Sequence, residues 1–175
     1  MLNKQLIPLI IFVIIALFLW QGLHLKPQLL SSALINKPVP SFALQSLDSN
    51  GLIITEQIFK DKISVINVWS SRCSTCKQEH LFLLGLNKID EFQLVGINYK
   101  DEKNNADLWL NKLGNPYKVN IFDQAGSLSM DFGVYGTPTV FIIDRAAIIR
   151  YRHVGILTNE IWNDVIVQQI NKLKD

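Results

Sequence analysis

The chain holds two cysteines, three positions apart, in Cys73-Ser74-Thr75-Cys76. Ser64 to Trp69 before them reads as a buried strand, and Lys77 to Lys88 after them as a helix. Paired thiols at a strand-to-helix turn can close and reopen as a disulfide. The attacking species in such exchange is the thiolate, which is favoured by the unpaired N–H groups and positive dipole end of a helix N-terminus. Cys73 stands there and is the expected nucleophile, with the cation of Arg72 beside it. Cys76 lies one turn further in, so it is expected to be more buried and to resolve the mixed disulfide formed at Cys73. Thr75 places a hydroxyl near Cys73. A zinc site is the competing reading, but it needs two further ligands. The histidines available are His24, His80 and His153. His24 belongs to the N-terminal apolar segment, His80 is expected on a helix surface, and His153 is expected to be packed or hydrogen-bonded at a strand end. Neither a metal nor another cofactor is expected.

The elements around this turn alternate. Phe42 to Leu47 reads as an edge strand, Asp48-Ser49-Asn50-Gly51 as a hairpin turn, and Thr55 as the cap of a short helix through Phe59. Ile63 to Trp69 is almost continuously apolar, as in a sheet covered on both faces. In the helix after Cys76, Leu81, Phe82 and Leu84 are expected to face the core. Phe92 to Asn98 is a second central strand, and Asn104 to Leu113 a helix stopped by Gly114 and Pro116. Val119 to Phe122 is a strand and Ser127 to Phe132 a short helix. Thr139 to Ile143 pairs in a hairpin with Ile148 to His153. Thr158 caps a last helix with Ile161, Val165 and Ile170 inward. This order predicts an α/β fold with a central mixed β-sheet flanked by helices. Pro138 sits at the head of a β-run, where a cis bond would let the strand begin at once; spacing alone leaves cis and trans open.

Length and composition bound the rest. The 175 residues and 19.9 kDa suit one domain plus an appendage, and a mean hydropathy of +0.19 is high for a wholly soluble chain. Much of the excess lies in the uncharged run from Leu6 to Trp20, preceded by Lys4. That run is roughly 15 residues, short of the ~20 that span a bilayer; Gln21 to Leu25 brings it near that length. No small-residue pair closes it, so an uncleaved anchor over residues 1–25 is expected rather than a removed signal peptide. Residues 26–40, with Pro27, Pro38 and Pro40, read as an extended linker, and 41–175 as the domain. The net charge of +2 comes without a basic cluster, which excludes nucleic acid as a partner. A disulfide between positions 73 and 76 closes too small a loop to brace a fold through chain entropy.

Val68 to Cys76 resembles the active-site segment of thioredoxin, with Thr137-Pro138 as its cis-proline turn. Gly96-Ile97-Asn98-Tyr99-Lys100-Asp101, Trp109-Leu110, Leu113 to Tyr117, Gly133-Val134-Tyr135-Gly136 and Tyr151 to Gly155 narrow the match. Together they resemble the membrane-tethered thioredoxins of cytochrome c maturation, the DsbE/CcmG type, over residues 35 to 170. The resemblance implies a thioredoxin-like fold with an N-terminal transmembrane helix, and a reductant that keeps the haem-binding cysteines of apocytochrome c, or a maturation partner's cysteines, reduced. It implies a domain facing the periplasm from the bacterial inner membrane, re-reduced by a transmembrane electron donor of the DsbD/CcdA type. It assigns Cys73 and Cys76 to catalysis, and Trp69, Arg72, Thr137 and Pro138 to substrate binding, with Thr137 offering its backbone to an extended segment.

The chain departs from that pattern at Arg72, where the family usually has Trp, at Ser74 for a proline, and at Thr139 for a glutamate after the cis-proline. Asn67 stands where thioredoxin has a buried aspartate. Glu79 and Glu56 are the carboxylates left to serve Cys76, and both are expected to be solvated. The unusual Ser74-Thr75 dipeptide leaves a general disulfide oxidase or isomerase open, since residues between the cysteines tune the potential. An apocytochrome-holding or copper-binding protein is the non-enzymatic alternative.

Overall fold

The computed structural model describes residues 7–24, 34–48 and 51–174. The chain divides into two compact units, Met1–Ser31 and Ser32–Asp175. In the first, the apolar run forms helix α1, Ile7–His24, of 18 residues. At 1.5 Å per residue it is about 27 Å long. Its side chains are exposed from Ile7 to Gln21, and those of residues 22–24 lie outside the described set. Among the described residues no helix is long and apolar enough to cross a membrane. Lys4, most of the expected linker, and Ser49 and Asn50 of the expected hairpin turn also fall outside the described residues.

The second unit is built on a five-stranded mixed sheet. Its strands are β3 (Ser64–Trp69), β4 (Gln93–Tyr99), β5 (Val119–Asp123), β6 (Thr139–Ile143) and β7 (Ile149–Val154). They lie in the order β5-β4-β3-β6-β7. β3 pairs parallel with β4 and antiparallel with β6, and a small antiparallel pair, β1 (Ala43–Gln45) with β2 (Ile53–Thr55), adjoins β5 through the Ser46–Ile121 bridge. Every residue of β3 is buried, which explains why its pattern is apolar apart from Ser64 and Asn67. Its side chains alternate between two cores, Val65 and Trp69 in one, Ile66 and Val68 in the other. Helix α2 (Ser74–Leu86), helix α3 (Lys103–Leu113) and the C-terminal helix close the first core; the 3₁₀ turn Glu56–Phe59 and helix α4 (Ser127–Asp131) close the second. Phe59, Phe132 and Leu128 in the second core are almost wholly enclosed, each worth about 2 kcal/mol of burial.

Several local expectations are corrected. Residues 34–40 are bound to the domain rather than forming linker: the Asn36 N–H donates to Ile149 O at 2.8 Å and the Val39 N–H to Ala147 O at 2.9 Å. Thr55 precedes the 3₁₀ turn without a side-chain cap, whereas the Thr158 hydroxyl does accept from the Ile161 N–H at 3.3 Å. α2 buries Cys76, Glu79, His80, Leu83 and Leu86, and leaves Leu81 78% exposed. The phase follows from Cys76: i+3, i+4 and i+7 lie on its face. The last helix runs as α5 (Asn159–Ile161), a π-helical turn (Trp162–Ile166) and α6 (Val167–Asn171). Its wider turn carries Trp162, Ile166 and Ile170 inward and leaves Ile161 and Val165 half-buried.

Gly96 in β4 is a point of close approach. A Cβ there would stand 2.9 Å from both Trp69 Nε1 and Tyr117 Cδ2, and would collide with Asn120 Oδ1. Gly96→Ala is therefore expected to destabilise the domain by about 2 kcal/mol through overpacking. A lowered urea midpoint with an unchanged slope checks this; an unshifted midpoint contradicts it.

Candidate active site

β3 ends at Trp69, and the chain turns through Ser70, Ser71 and Arg72 into α2. Cys73 is the N-cap of α2, and its Sγ accepts the Cys76 N–H at 3.0 Å. The Thr75 hydroxyl lies 3.2 Å from the same sulfur. Cys73 and Cys76 are joined as a disulfide. Cys73 is half-buried, while Cys76 is 2% exposed. A reagent can therefore reach only the first sulfur. Once the bond is reduced, the N–H and hydroxyl already aimed at Cys73 stabilise negative charge on it.

The turn is held from below by Asp101. Its carboxylate accepts the hydroxyls of Ser70 and Ser71, the N–H groups of Ser71 and Glu102, and the Asn98 amide. Burial pushes its pKa up, but these hydrogen bonds outweigh that and hold it below the usual carboxylate range. Asp101 belongs to a segment the sequence singled out, yet nothing in the residue pattern marked it as the brace of the cysteine turn.

A second polar group is buried behind the cysteines. The Tyr117 hydroxyl donates to Asn67 Oδ1 at 2.8 Å, and the Asn67 amide donates to Glu79 Oε1 at 2.8 Å. The Leu157 N–H donates to Glu79 Oε2 at 2.8 Å. Glu79 is 2% exposed, contrary to the expectation of a solvated side chain. Burial raises its pKa to about 7, against the lowering effect of the Leu157 N–H and Asn67. Burial, and then the charge of Glu79, push the Tyr117 hydroxyl well above its ordinary value. Glu79 follows Cys76 by three residues on the inward face of α2, a spacing that could have singled it out. Glu56 is partly exposed and accepts the Phe42 N–H at 3.3 Å.

His80 is likewise not a surface residue. It is 1% exposed, its Nε2 lies 3.0 Å from Gly114 O, and its ring meets Trp109 edge-on at 4.2 Å. Burial lowers its pKa. The His153 Nε2 faces Ile156 O at 3.3 Å. Among the described residues no group of three or more His, Cys, Asp or Glu is placed to hold a metal ion.

The residues expected to meet substrate divide. Trp69 is 0% exposed and stacked between Trp109 at 4.8 Å and Tyr117 at 5.8 Å, so it supports the turn from inside and cannot touch a ligand. Arg72, Cys73 and Thr137 line one side of an open hollow of about 220 Å³, completed by Ser70, Tyr99 and Lys100. The Thr137–Pro138 bond is cis. Pro138 itself is buried, and its carbonyl accepts the Gly155 N–H at 3.0 Å. Thr139 is buried and turns its hydroxyl back to Gly136 O at 2.8 Å. It offers no charge to the site.

This scaffold and this sulfur pair define a thiol–disulfide oxidoreductase of thioredoxin-like build. The family described as Redoxin matches residues 34–168. The thiol:disulfide interchange protein DsbE of Escherichia coli K12 is 46% identical over 167 residues, covering 92% of this chain and 90% of that protein. DsbE of Pseudomonas aeruginosa is 42% identical over 170 residues, covering 97% and 94%. The crystal structure of a DsbF homologue from Corynebacterium diphtheriae superposes with a TM-score of 0.67 at 24% identity, over 78% of this chain and 87% of that one, a likeness of fold alone. The chain belongs to the DsbE family of thiol:disulfide interchange proteins.

Glu79 gives the oxidised protein a pH signature. Its carboxyl has a pKa of about 7 when folded and 4.5 as a reference. Between those values the folded state keeps a proton that the unfolded state releases, so stability is full at low pH and falls as pH rises through 7. The drop is on the order of 3 kcal/mol. Urea midpoints of the oxidised wild type are expected to fall from about pH 5 to about pH 8, and those of Glu79→Gln to lack that fall. Parallel pH profiles for the two proteins would contradict the assignment.

Proposed function

We propose that this protein is the thiol reductant of cytochrome c maturation, held at the bacterial inner membrane with its domain in the periplasm. The observation that carries the redox role is the asymmetry of the pair: one reachable sulfur at a helix N-terminus, backed by an enclosed one. The Cys73 thiolate attacks a partner disulfide, forming a mixed disulfide and expelling the partner's other sulfur as a thiolate, which takes up a proton. Cys76 then loses its proton and attacks Cys73 Sγ. The partner leaves as a dithiol, and two electrons have passed from the Cys73–Cys76 pair. Glu79, with a pKa of about 7 on the inward face with Cys76, is suited to take that proton.

The cytochrome assignment is supported by family membership and by the segments Gly96 to Asp101, Gly133 to Gly136 and Tyr151 to Gly155. The partner is then apocytochrome c, or a maturation protein that hands on its haem-binding cysteines. Thr137 offers main-chain groups to the incoming segment, and Pro138 shapes the turn beneath it. The anchor is supported by α1, whose described side chains are apolar and exposed from Ile7 to Trp20. In sequence the run from Leu6 to Leu25 is ~20 residues long, and the positive charge of Lys4 before it favours a cytoplasmic N-terminus. A transmembrane donor of the DsbD/CcdA type restores the dithiol.

In a strain lacking the chromosomal copy, Cys73→Ser is expected to abolish holocytochrome c, with recovery on adding an external thiol. Cys76→Ser is expected to accumulate a disulfide-linked partner on non-reducing gels. Holocytochrome c at wild-type level with Cys73→Ser and no added thiol would overturn the proposal.

A further inference from the structure

The hollow beside Cys73 is cationic. Arg72 and Lys100 both stand on it, and both are exposed. They are held there by separate contacts. Arg72 Nη2 donates to the Lys100 carbonyl at 2.8 Å. The Lys100 stem crosses Gly126, where a Cβ would come within 2.6 Å of Lys100 Cε, and its ammonium lies 5.3 Å from the Tyr99 ring centre. Gly126 has a φ of 76°, so both its backbone and its missing side chain are needed to seat the lysine. Among the described residues neither cation has a salt-bridge partner. Of the nearby carboxylates, Glu102 is exposed and accepts the Asn105 amide at 3.2 Å, while Asp101 and Asp123 are buried. Asp101 is saturated by Ser70, Ser71, Asn98 and Glu102, and Asp123 accepts from Leu128 and Ser129. The hollow thus presents two positive charges that are in no salt bridge among the described residues.

Cys73 and Thr137 also line it. A segment docked along Thr137 and bonded to Cys73 has its neighbouring residues about 3.3 Å further along the strand, within side-chain reach of the hollow. We infer that Arg72 and Lys100 read a carboxylate, so that the preferred partners carry Asp or Glu directly beside the cysteine that Cys73 attacks. This rests on the disulfide-exchange reading above and adds to it the chemical class of the partner segment. Arg suits the task through paired N–H groups that match a carboxylate, and the lysine adds charge at the rim.

The test uses the full chain in neutral detergent with Cys73 and Cys76 reduced. Its substrates are short peptides, each closed by an internal disulfide, with Glu, Gln or Lys directly before or directly after the attacked cysteine. Samples quenched with acid and alkylated give the rate of thiol release. At low ionic strength one series is expected to be reduced about tenfold faster with Glu than with Lys, Gln falling between, and high salt is expected to shrink that ratio. Arg72→Gln is expected to leave a ratio of about three, and Arg72→Gln/Lys100→Gln a ratio near one. The ratio is the readout because it is blind to any general loss of thiolate reactivity in the variants. A wild-type ratio near one in both series overturns the inference and leaves disulfide exchange standing. So does a double variant that slows every peptide and keeps the wild-type ratio. Reduction of none of the peptides by the wild type would overturn the exchange chemistry and the inference with it.

Discussion

A single buried carboxylate holds the reactive turn in place. Asp101 gathers two hydroxyls, two backbone N–H groups and an amide from the chain on either side of it. Hydrogen bonds to a charged acceptor are worth about 1.5–3 kcal/mol each, and losing the acceptor would leave several buried donors unpaired. The pairing of Trp69 with Asn98 across β3 and β4 brings Asn98 and Asp101 beneath the residues that lead to Cys73. The sheet therefore fixes where the sulfur sits, and α2 inherits its starting point from the sheet.

Behind the turn the requirement is different. Cys76, Asn67, Tyr117 and Glu79 are enclosed, and the polar atoms among them bond to one another and to the Leu157 N–H. A carboxyl in such a place is poised near neutrality because burial opposes its charge while two donors favour it. The front of the site carries cations in contact with water, and the back carries a group that can hold or release a proton out of water. One segment of eight residues, Arg72 to Glu79, supplies both sides.

The sequence made the sheet legible because β3, β4 and β6 are near-continuous apolar runs, and a strand buried on both faces leaves no other pattern. The cysteine pair is legible because the sequence holds only those two cysteines, whereas the Thr137–Pro138 turn is legible through the family resemblance, spacing alone leaving cis and trans open. The inward face of α2 was not, because helical spacing gives a period without its phase: Leu81 and Leu83 fit equally well until the position of Cys76 decides. The same missing phase leaves Glu79 and His80 on the solvent side of the expected helix, where the structure buries both. The resemblance assigns Trp69 to substrate, but its strand carries it into the core. Lys100 adopts a positive φ of 47°, which its residue type does not announce. The π-helical turn at Trp162–Ile166 shifted the last helix by a margin that regular spacing does not anticipate.

The Pro138 carbonyl is already committed to Gly155, and a proline has no N–H to lend. Among the described residues the main-chain groups of Thr137 make no such bond. A strand laid against this corner gains at most a pair of hydrogen bonds, each worth about 1 kcal/mol net. Its residence without a sulfur link is correspondingly brief. In the proposed exchange the durable grip is the covalent one and Cys76 would undo it, so the chemistry that captures a client would also let it go.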